Sequence, residues 1–254
     1  LGRRGPRERH LGVRDSRRAG ARGRRALALS ADVLDFTSIP AVLDRVVAEW
    51  GRLDIMVNNA GGNLDRKMYA LPDISLEKFD EQLALNMKTK FWGSQQAAKR
   101  MTQGGRIINI ISIAAHRPSP GFGVYSAANM GMISMTRTLS VELAPRGITV
   151  NCIAPGIVVT DMLKETMHLS QEQAEANFAK AIPLGRPGTP EDCAAAAVFF
   201  ASPAAAWITG QYIDVAGGQL VLAGPPPDGG VGVLRVVALR FAGVLVFGAE
   251  VAAA

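Results

Sequence analysis

Cysteine and histidine are scarce in this chain of 254 residues, which has two of the first and three of the second. Two cysteines, Cys152 and Cys193, do not build a disulfide framework, so we expect a reducing compartment, the cytoplasm. His10 and His168 have no partners at the spacing of metal ligands, and the sequence therefore predicts no metal site.

Uncharged apolar runs of membrane-spanning length are lacking, as is a signal-peptide pattern, so we expect no membrane partner. The net charge of +6 is misleading, because residues 1–25 hold ten arginines against Glu8 and Asp15. The remainder is slightly acidic, which argues against a nucleic-acid partner for the main body. An apolar content of 48% at this length favours a folded α/β domain.

The most informative stretch is residues 107–129. An apolar run of strand length ends at Ser112, and Tyr125 opens an Ala- and Met-rich segment that reads as a helix to Leu143. Asn129 lies four residues after Tyr125, on the same helix face. A serine and a tyrosine hydroxyl brought together can bind a carbonyl oxygen and exchange a proton with it. The alternative is that Ser112 is a strand-end turn residue and Tyr125 a surface aromatic.

Apolar patterns alternate along the chain between strand and helix. Strands are predicted at 26–29, 53–57, 107–111, 148–153 and 207–215, and helices at 37–50, 76–101, 125–143 and 190–201. This alternation predicts βαβ units and a parallel sheet, which binds ligands beyond the carboxyl ends of its strands. Four such ends carry polar residues or glycine, namely Asp32, Asn59, Ser112 and the pair Pro155-Gly156.

Taken together, these residues resemble the short-chain dehydrogenase/reductase family, most closely its 3-oxoacyl-reductase-like members. The resemblance covers roughly residues 23–222. It rests on short motifs that run from Asp32-Val33 through Asn58-Asn59-Ala60-Gly61 to Gly217-Gly218. It implies a doubly wound parallel sheet of the Rossmann type in three αβα layers, a nicotinamide cofactor (NADP or NAD), and a homotetramer or homodimer. We expect this domain over residues 1–222, with a divergent arginine-rich start, and a tail over 223–254 without assigned structure or function.

The resemblance also implies roles for individual residues. Tyr125 would exchange the proton with the substrate oxygen, Ser112 would fix that oxygen, and Asn86 would hold a water in a proton relay. The adenosine side of the cofactor would be held by Asp32, Val33, Asn59, Ala60 and Gly61. The nicotinamide carboxamide would be lined by Pro155, Gly156, Val158 and Thr160. Tyr125 and Asn129 belong to the cofactor site too, since an amide such as Asn129 can hydrogen-bond a ribose hydroxyl.

Two departures from the family pattern stand out. Asn129 occupies the position of the family's lysine, whose positive charge favours the tyrosine anion. The family's first βα unit, with its glycine-rich phosphate loop, has no counterpart before residue 26, so the fold is expected to be truncated at its N-terminal side. Leu1-Gly2-Arg3-Arg4 resembles the end of the family's second strand, where an arginine, Arg3 or Arg4, would mark binding of a 2′-phosphate and favour NADP slightly.

The expected function is an NAD(P)-dependent oxidoreductase that transfers a hydride between the nicotinamide and a ketone or secondary alcohol. The alternative is a non-catalytic relative that serves as a binding or oligomer-partner protein, because Asn129 lacks the charge of lysine and the phosphate loop is missing. Nothing in the sequence identifies the substrate, since apolar residues between 163 and 182 suit an acyl chain, a cyclic ketone or a steroid equally.

Overall fold

The structure is a computed structural model that describes residues 25–62, 67–161, 163–164, 168–219, 235–241 and 244–250. The chain divides into two units, Leu1–Leu220 and Val221–Ala254. All predicted site residues except Arg3 fall within the described part of the first unit. Arg3 lies outside the described residues, and its predicted role stays a prediction.

The first unit is built on a parallel sheet of four described strands in the order β1-β2-β3-β4. The strands are β1 (Ile55–Asn58), β2 (Arg106–Ile110), β3 (Thr149–Pro155) and β4 (Tyr212–Val215). The register places Asn58 beside Asn109, and Asn109 beside Cys152. Three polar residues therefore form one row across the sheet, close to its carboxyl edge.

Helices connect these strands. They are α1 (Ser38–Trp50), α2 (Leu76–Leu83), α3 (Thr89–Arg100), α4 (Gly123–Leu143), α5 (Gln171–Ala179) and α6 (Pro190–Ala201). A π-helical turn, Ala84–Lys88, joins α2 to α3, and three short 3-10 turns lie at Ile113–Ala115, Ala144–Arg146 and Pro203–Ala205. Local chemistry explains several ends: Gly51 ends α1 with a left-handed φ of 76°, and Thr189 with Asp192 forms a capping box before α6.

The core has two sides because successive strand residues point to opposite faces of the sheet. On one face Ile107 and Val150 pack against Leu43 of α1 and Ala97 of α3. On the other face Ile108 and Ile153 pack against Phe200 of α6 and Ala205. Helices thus cover both faces, which confirms the predicted doubly wound α/β fold with three αβα layers.

The predicted strand at 26–29 is wrong. Residues 25–32 have no regular structure, and the Leu29 side chain is 40% exposed. An apolar run becomes a strand only when a neighbouring strand takes its backbone hydrogen bonds. Here the backbone instead turns after Asp32, whose carbonyl accepts from Asp35 N at 3.1 Å and whose Oδ1 accepts from Leu34 N at 3.0 Å.

The remaining predicted elements are confirmed with shifted ends. The helix predicted over 76–101 is a single helical run that contains the π turn. The last strand begins at Tyr212, five residues later than predicted, because Trp207 lies outside the sheet and is 99% exposed.

The second unit contains a two-stranded antiparallel sheet, which was not predicted, since the tail was expected to have no assigned structure. Its strands are β5 (Arg235–Phe241) and β6 (Val244–Glu250), with Arg235 opposite Glu250 and Phe241 opposite Val244. Within the described residues of both units, no helix is both long enough and apolar enough to cross a membrane.

Candidate active site

Ser112 and Tyr125 are brought together just beyond the carboxyl end of β2. Ser112 is in extended backbone, and its Oγ accepts a hydrogen bond from Ala114 N at 3.1 Å, which starts a 3-10 turn. Tyr125 lies in the first turn of α4, and its phenol is near enough to the Ser112 hydroxyl for that hydroxyl to lower the pKa of the phenol. The structure therefore brings the two predicted hydroxyls close together, which argues against the alternative that Tyr125 is an isolated surface aromatic.

The Tyr125 side chain is partly buried. Burial raises its pKa above the usual value, and hydrogen bonds with Ser112 and Asn129 offset part of that rise. The Phe122 ring contacts it edge-on, with 6.2 Å between the ring centroids. At neutral pH the phenol is therefore protonated and able to donate to an oxygen.

Asn129 is buried, with 1% of its surface exposed. Its Nδ2 donates to the carbonyl oxygen of Tyr125 at 2.8 Å, one helical turn back. The side chain is thus next to Tyr125, as the i, i+4 spacing predicts. It supplies hydrogen-bonding groups at this position but no positive charge.

Asn86 lies inside the π turn between α2 and α3, where its side chain reaches the loop that follows β1. Its Oδ1 accepts from Gly62 N and its Nδ2 donates to Gly62 O, both at 2.8 Å. Its Nδ2 also contacts the carbonyl oxygen of Gln82 at 3.1 Å. The amide thereby clamps the backbone of the loop, and the water-holding role remains a prediction.

A buried hydrogen-bond network, which the sequence prediction missed, lies beneath the site. Asn58 Nδ2 donates to Asn109 Oδ1 at 2.9 Å and to Ser94 Oγ at 3.0 Å. Asn109 Nδ2 donates to Thr136 Oγ1 at 3.0 Å, and that hydroxyl lies 3.1 Å from Cys152 Sγ. The network ties β1, β2 and β3 to α3 and α4. A sequence signal was present, since an asparagine interrupts the isoleucines of β2.

Some of the predicted adenosine-binding residues line a cavity of about 200 Å³ beside β1. Val33, Asn59 and Ala60 line this cavity, together with apolar residues of α1 and β1. Asp32, next to Val33 in the chain, is exposed. A few residues later, the carbonyl oxygen of Phe36 accepts a hydrogen bond from Trp92 Nε1 at 2.8 Å, which attaches this segment to α3. The structure therefore brings Val33 together with the Asn59–Gly61 loop even though the segment before Asp32 is not a strand.

Lys90 is a second side chain that the sequence prediction missed. It is 3% exposed, and its Nζ donates to Ala60 O at 2.8 Å and to Asn86 O at 3.2 Å. Burial lowers the pKa of this ammonium to about 8, against a weaker opposing effect of the Cys152 thiol. The only available signal was a lysine at the helix position one turn after Asn86.

The loop after β3, which carries Pro155, Gly156, Val158 and Thr160, is held from several sides. Gly156 N donates to Val215 O at 3.0 Å, and Val158 pairs with Gly188 in an isolated bridge. Gln219, which is 5% exposed, accepts a hydrogen bond from Ile157 N on its Oε1 at 2.8 Å.

The same glutamine reaches the active-site loop, because Arg117 donates to its backbone carbonyl. A Cβ at Gly156 would lie 2.2 Å from Gln219 Oε1, so only glycine allows this close approach. Gln219 was not predicted as a site residue, since nothing in a sequence shows that a residue after the last strand returns to the loop after β3.

Within the described ranges, no three His, Cys, Asp or Glu side chains lie close enough together to hold a metal ion.

Comparison with known proteins places this arrangement in a family. Residues 9–219 match the family model described as enoyl-(acyl carrier protein) reductase. The 3-oxoacyl-[acyl-carrier-protein] reductase FabG of Rickettsia conorii is 44% identical over 179 residues, which cover 70% of this chain and 71% of the relative. The 2-dehydro-3-deoxy-D-gluconate 5-dehydrogenase of Escherichia coli is 41% identical over 203 residues, covering 79% of this chain and 78% of the relative.

Solved structures agree with these sequence relatives. A short-chain dehydrogenase from Burkholderia cenocepacia, in complex with NADP, superposes with a TM-score of 0.73 at 33% identity and covers 82% of each chain. The family match spans far more than half of the chain, and both the observed fold and the similar proteins are consistent with it. The chain therefore belongs to the short-chain dehydrogenase/reductase family of oxidoreductases and is 3-oxoacyl-reductase-like.

Proposed function

We propose that this protein reduces a ketone, or oxidises the matching secondary alcohol, with a nicotinamide cofactor, and that Tyr125 is the acid/base. The observation that carries the proposal is the closeness of the Ser112 and Tyr125 hydroxyls at the carboxyl edge of a parallel sheet. A carbonyl oxygen between two hydroxyl donors is polarised and can accept a proton as it gains charge.

The cofactor would supply the hydride when bound, and the chain's own residues handle the oxygen and the proton. Ser112 donates a hydrogen bond that fixes the substrate oxygen. Tyr125 donates its proton, which its raised pKa keeps in place at neutral pH. Asn86 would hold a relay water through the part of its amide oxygen that the Gly62 contact leaves open. Asn129 would orient Tyr125 and a ribose hydroxyl without supplying charge.

The residues around the cavity fit a dinucleotide. Its adenosine half would lie against Asp32, Val33 and the Asn59–Gly61 loop, where a 200 Å³ space opens between apolar walls. Its nicotinamide end would meet the loop of Pro155, Gly156, Val158 and Thr160. Gly156 has no side chain, and Gln219 Oε1 occupies the space that a Cβ at this position would fill. NADP is favoured over NAD because a structural relative is in complex with NADP and because Arg3 suits a 2′-phosphate.

The test is turnover with Tyr125→Phe and Ser112→Ala. NADPH consumption would be followed with a 3-oxoacyl thioester and with a cyclic ketone, since the substrate class is open. Each variant should lose roughly 10²- to 10⁴-fold in kcat/KM, the usual contribution of a positioned acid or base. Tyr212→Phe, which removes a hydroxyl from a partly exposed tyrosine of β4, serves as the matched control and should keep full activity. Equal rates in all four proteins would refute the assignment.

A second candidate function is non-catalytic binding of the cofactor within an assembly. Asn129 favours it, because the buried position next to Tyr125 carries no cation to stabilise a tyrosinate. This candidate predicts NADP binding with no turnover in either direction. Binding by fluorescence titration together with the turnover assay separates the two functions.

We also propose that the protein is a homotetramer or homodimer. Several large apolar side chains on α6 and around β4 are exposed, which is unfavourable for a monomer in water. They are Val198 at 69%, Phe199 at 42%, Trp207 at 99% and Tyr212 at 36%. Exposed apolar groups that lie close to one another mark association surfaces.

A further inference from the structure

Lys90 is an unusual residue to find within a protein interior. A lysine is almost never fully buried without a charged partner, because taking an ammonium out of water costs several kcal/mol. Lys90 is 3% exposed, and among the residues that the structure describes no carboxylate forms an ion pair with it. Two backbone carbonyl oxygens, of Ala60 and Asn86, accept its hydrogen bonds instead. One of these belongs to its own helix, and the other belongs to the loop after β1.

That loop is held by two side chains from one helical face. The side chain of Asn86 hydrogen-bonds with both the N–H and the carbonyl of Gly62. Lys90, one turn later, donates a hydrogen bond to the carbonyl of Ala60. The backbone passes close to the ammonium, since a Cβ at Gly61 would lie 2.7 Å from Lys90 Nζ and 3.1 Å from Asn86 Oδ1. The three contacts fix the direction of successive peptide groups in the loop. Asn59 and Ala60 of the same loop line the cavity beside β1, and so does Lys90 itself.

We propose that Lys90 is a positioning residue of the dinucleotide site, and that its hydrogen bond to Ala60 O fixes the Asn59–Gly61 loop in the conformation that receives the adenosine half of the cofactor. This inference rests on the proposed function for the identity of the ligand. The hold on the loop itself does not, because it consists of hydrogen bonds within the chain. The hydrogen bonds of Lys90 go to Ala60 O and Asn86 O and not to Ser112 or Tyr125. Lys90 therefore acts on cofactor binding and not on proton transfer.

The first test measures hydrogen exchange of the ligand-free protein. In Lys90→Met the backbone amides of residues 58–62 should exchange at least about tenfold faster than in the wild type, because local opening no longer breaks a charge-assisted hydrogen bond. Lys99→Met is the matched control: it removes the same charge from an exposed position of the same helix and should leave these amides unchanged. Unchanged exchange in Lys90→Met would overturn the proposal.

The second test measures binding of adenosine 2′,5′-bisphosphate, which represents the adenosine half alone. Its Kd should rise about tenfold in Lys90→Met, equivalent to about 1.4 kcal/mol, and should not change in Lys99→Met. Lys90→Gln keeps one donor for Ala60 O and should recover part of the loss; it also serves if the methionine variant does not fold. In turnover, KM for NADPH should rise while kcat at saturating cofactor stays within about twofold of the wild type.

The outcomes separate this inference from the function it builds on. If the wild type binds the bisphosphate but lacks turnover, and Lys90→Met binds it about tenfold more weakly, the oxidoreductase proposal fails and the role of Lys90 stands. If the wild type turns over normally and Lys90→Met matches it in both exchange and KM, the role of Lys90 fails and the function stands. A fall in kcat with an unchanged KM would also refute the positioning role.

Discussion

Asn129 limits how far Tyr125 can act as a base. Burial raises the pKa of Tyr125, and a lysine ammonium one turn away would lower it, whereas the amide of Asn129 offers only hydrogen bonds. Ketone reduction uses the protonated phenol and alcohol oxidation uses the anion. Reduction should therefore be the more efficient direction near neutral pH.

Asn129→Lys tests this reasoning. Alcohol oxidation at neutral pH should rise about 10²-fold, because a nearby ammonium favours the tyrosinate that removes the alcohol proton. The rise of the oxidation rate with pH should move to lower pH, since the substitution lowers the Tyr125 pKa. Rates are measured across pH in both directions, with Asn129→Gln as an uncharged control. An unchanged pH profile would mean that another group tunes Tyr125.

The buried Lys90 should make the stability of the protein depend on pH. Its pKa is lowered from 10.5 to about 8 in the folded chain, so the unfolded chain binds more proton between these values. Stability then increases with pH in that window, because the penalty for the buried charge disappears as the folded state loses its proton. We expect the free energy of unfolding of the wild type, relative to Lys90→Met, to increase by up to about 3 kcal/mol between pH 7 and pH 10.

Urea unfolding of both chains at several pH values measures this difference. Burial raises the pKa of the Cys152 thiol to about 11, which lowers stability as pH rises through the upper part of the same window. That effect is common to both chains, so the comparison largely removes it. A difference that does not vary with pH would contradict the shifted pKa of Lys90.

Gly93 of α3 and Gly131 of α4 both face a neighbouring side chain, and the two neighbours differ in how freely they can move. A Cβ at Gly93 would lie 2.1 Å from Asn58 Oδ1, which belongs to the buried network. A Cβ at Gly131 would lie 2.7 Å from Met87 Sδ, in a flexible side chain. The first contact cannot relax without breaking hydrogen bonds, and the second can.

Gly93→Ala should therefore lower the free energy of unfolding by roughly 2 to 4 kcal/mol, from overpacking and from a buried polar group left without its partner. Gly131→Ala should stay within about 1 kcal/mol of the wild type, since the gain in helix propensity offsets the rearranged methionine. Urea unfolding measures both. Similar losses in the two variants would show that the network around Asn58 is not rigid.

Periodicity predicted the elements well where a segment's own pattern decides its structure. Helix α1 follows its apolar spacing and ends at Gly51, and β2 and α4 place Ser112 and Tyr125 as expected. Prediction failed where structure depends on distant partners. The apolar run at 26–29 has no strand beside it, and the contacts of Lys90 and Gln219 join segments far apart in the chain. A sequence shows which groups can hydrogen-bond but not which backbone will reach them.

Association of the whole molecule can be tested on its exposed apolar side chains. Phe199→Asp and Trp207→Asp should each shift the protein towards the monomer, because a buried carboxylate without a partner is costly at an interface. Leu76→Asp, at an equally exposed position at the start of α2, is the control and should leave the mass unchanged. Light scattering coupled to size exclusion gives the mass of each variant. A wild-type monomer at all concentrations would contradict the proposed oligomer.

The positions of the tryptophans have an optical consequence. The chain has three, at 50, 92 and 207, and each meets a different environment. The Trp92 indole donates to Phe36 O beside the cavity, so its emission should respond when a ligand orders the segment from Asp32 to Phe36. Trp207 is 99% exposed, so its emission should shift to the blue only when another subunit covers it. With Trp50 replaced by phenylalanine, one spectrum of the protein would report ligand binding and subunit association as separate signals.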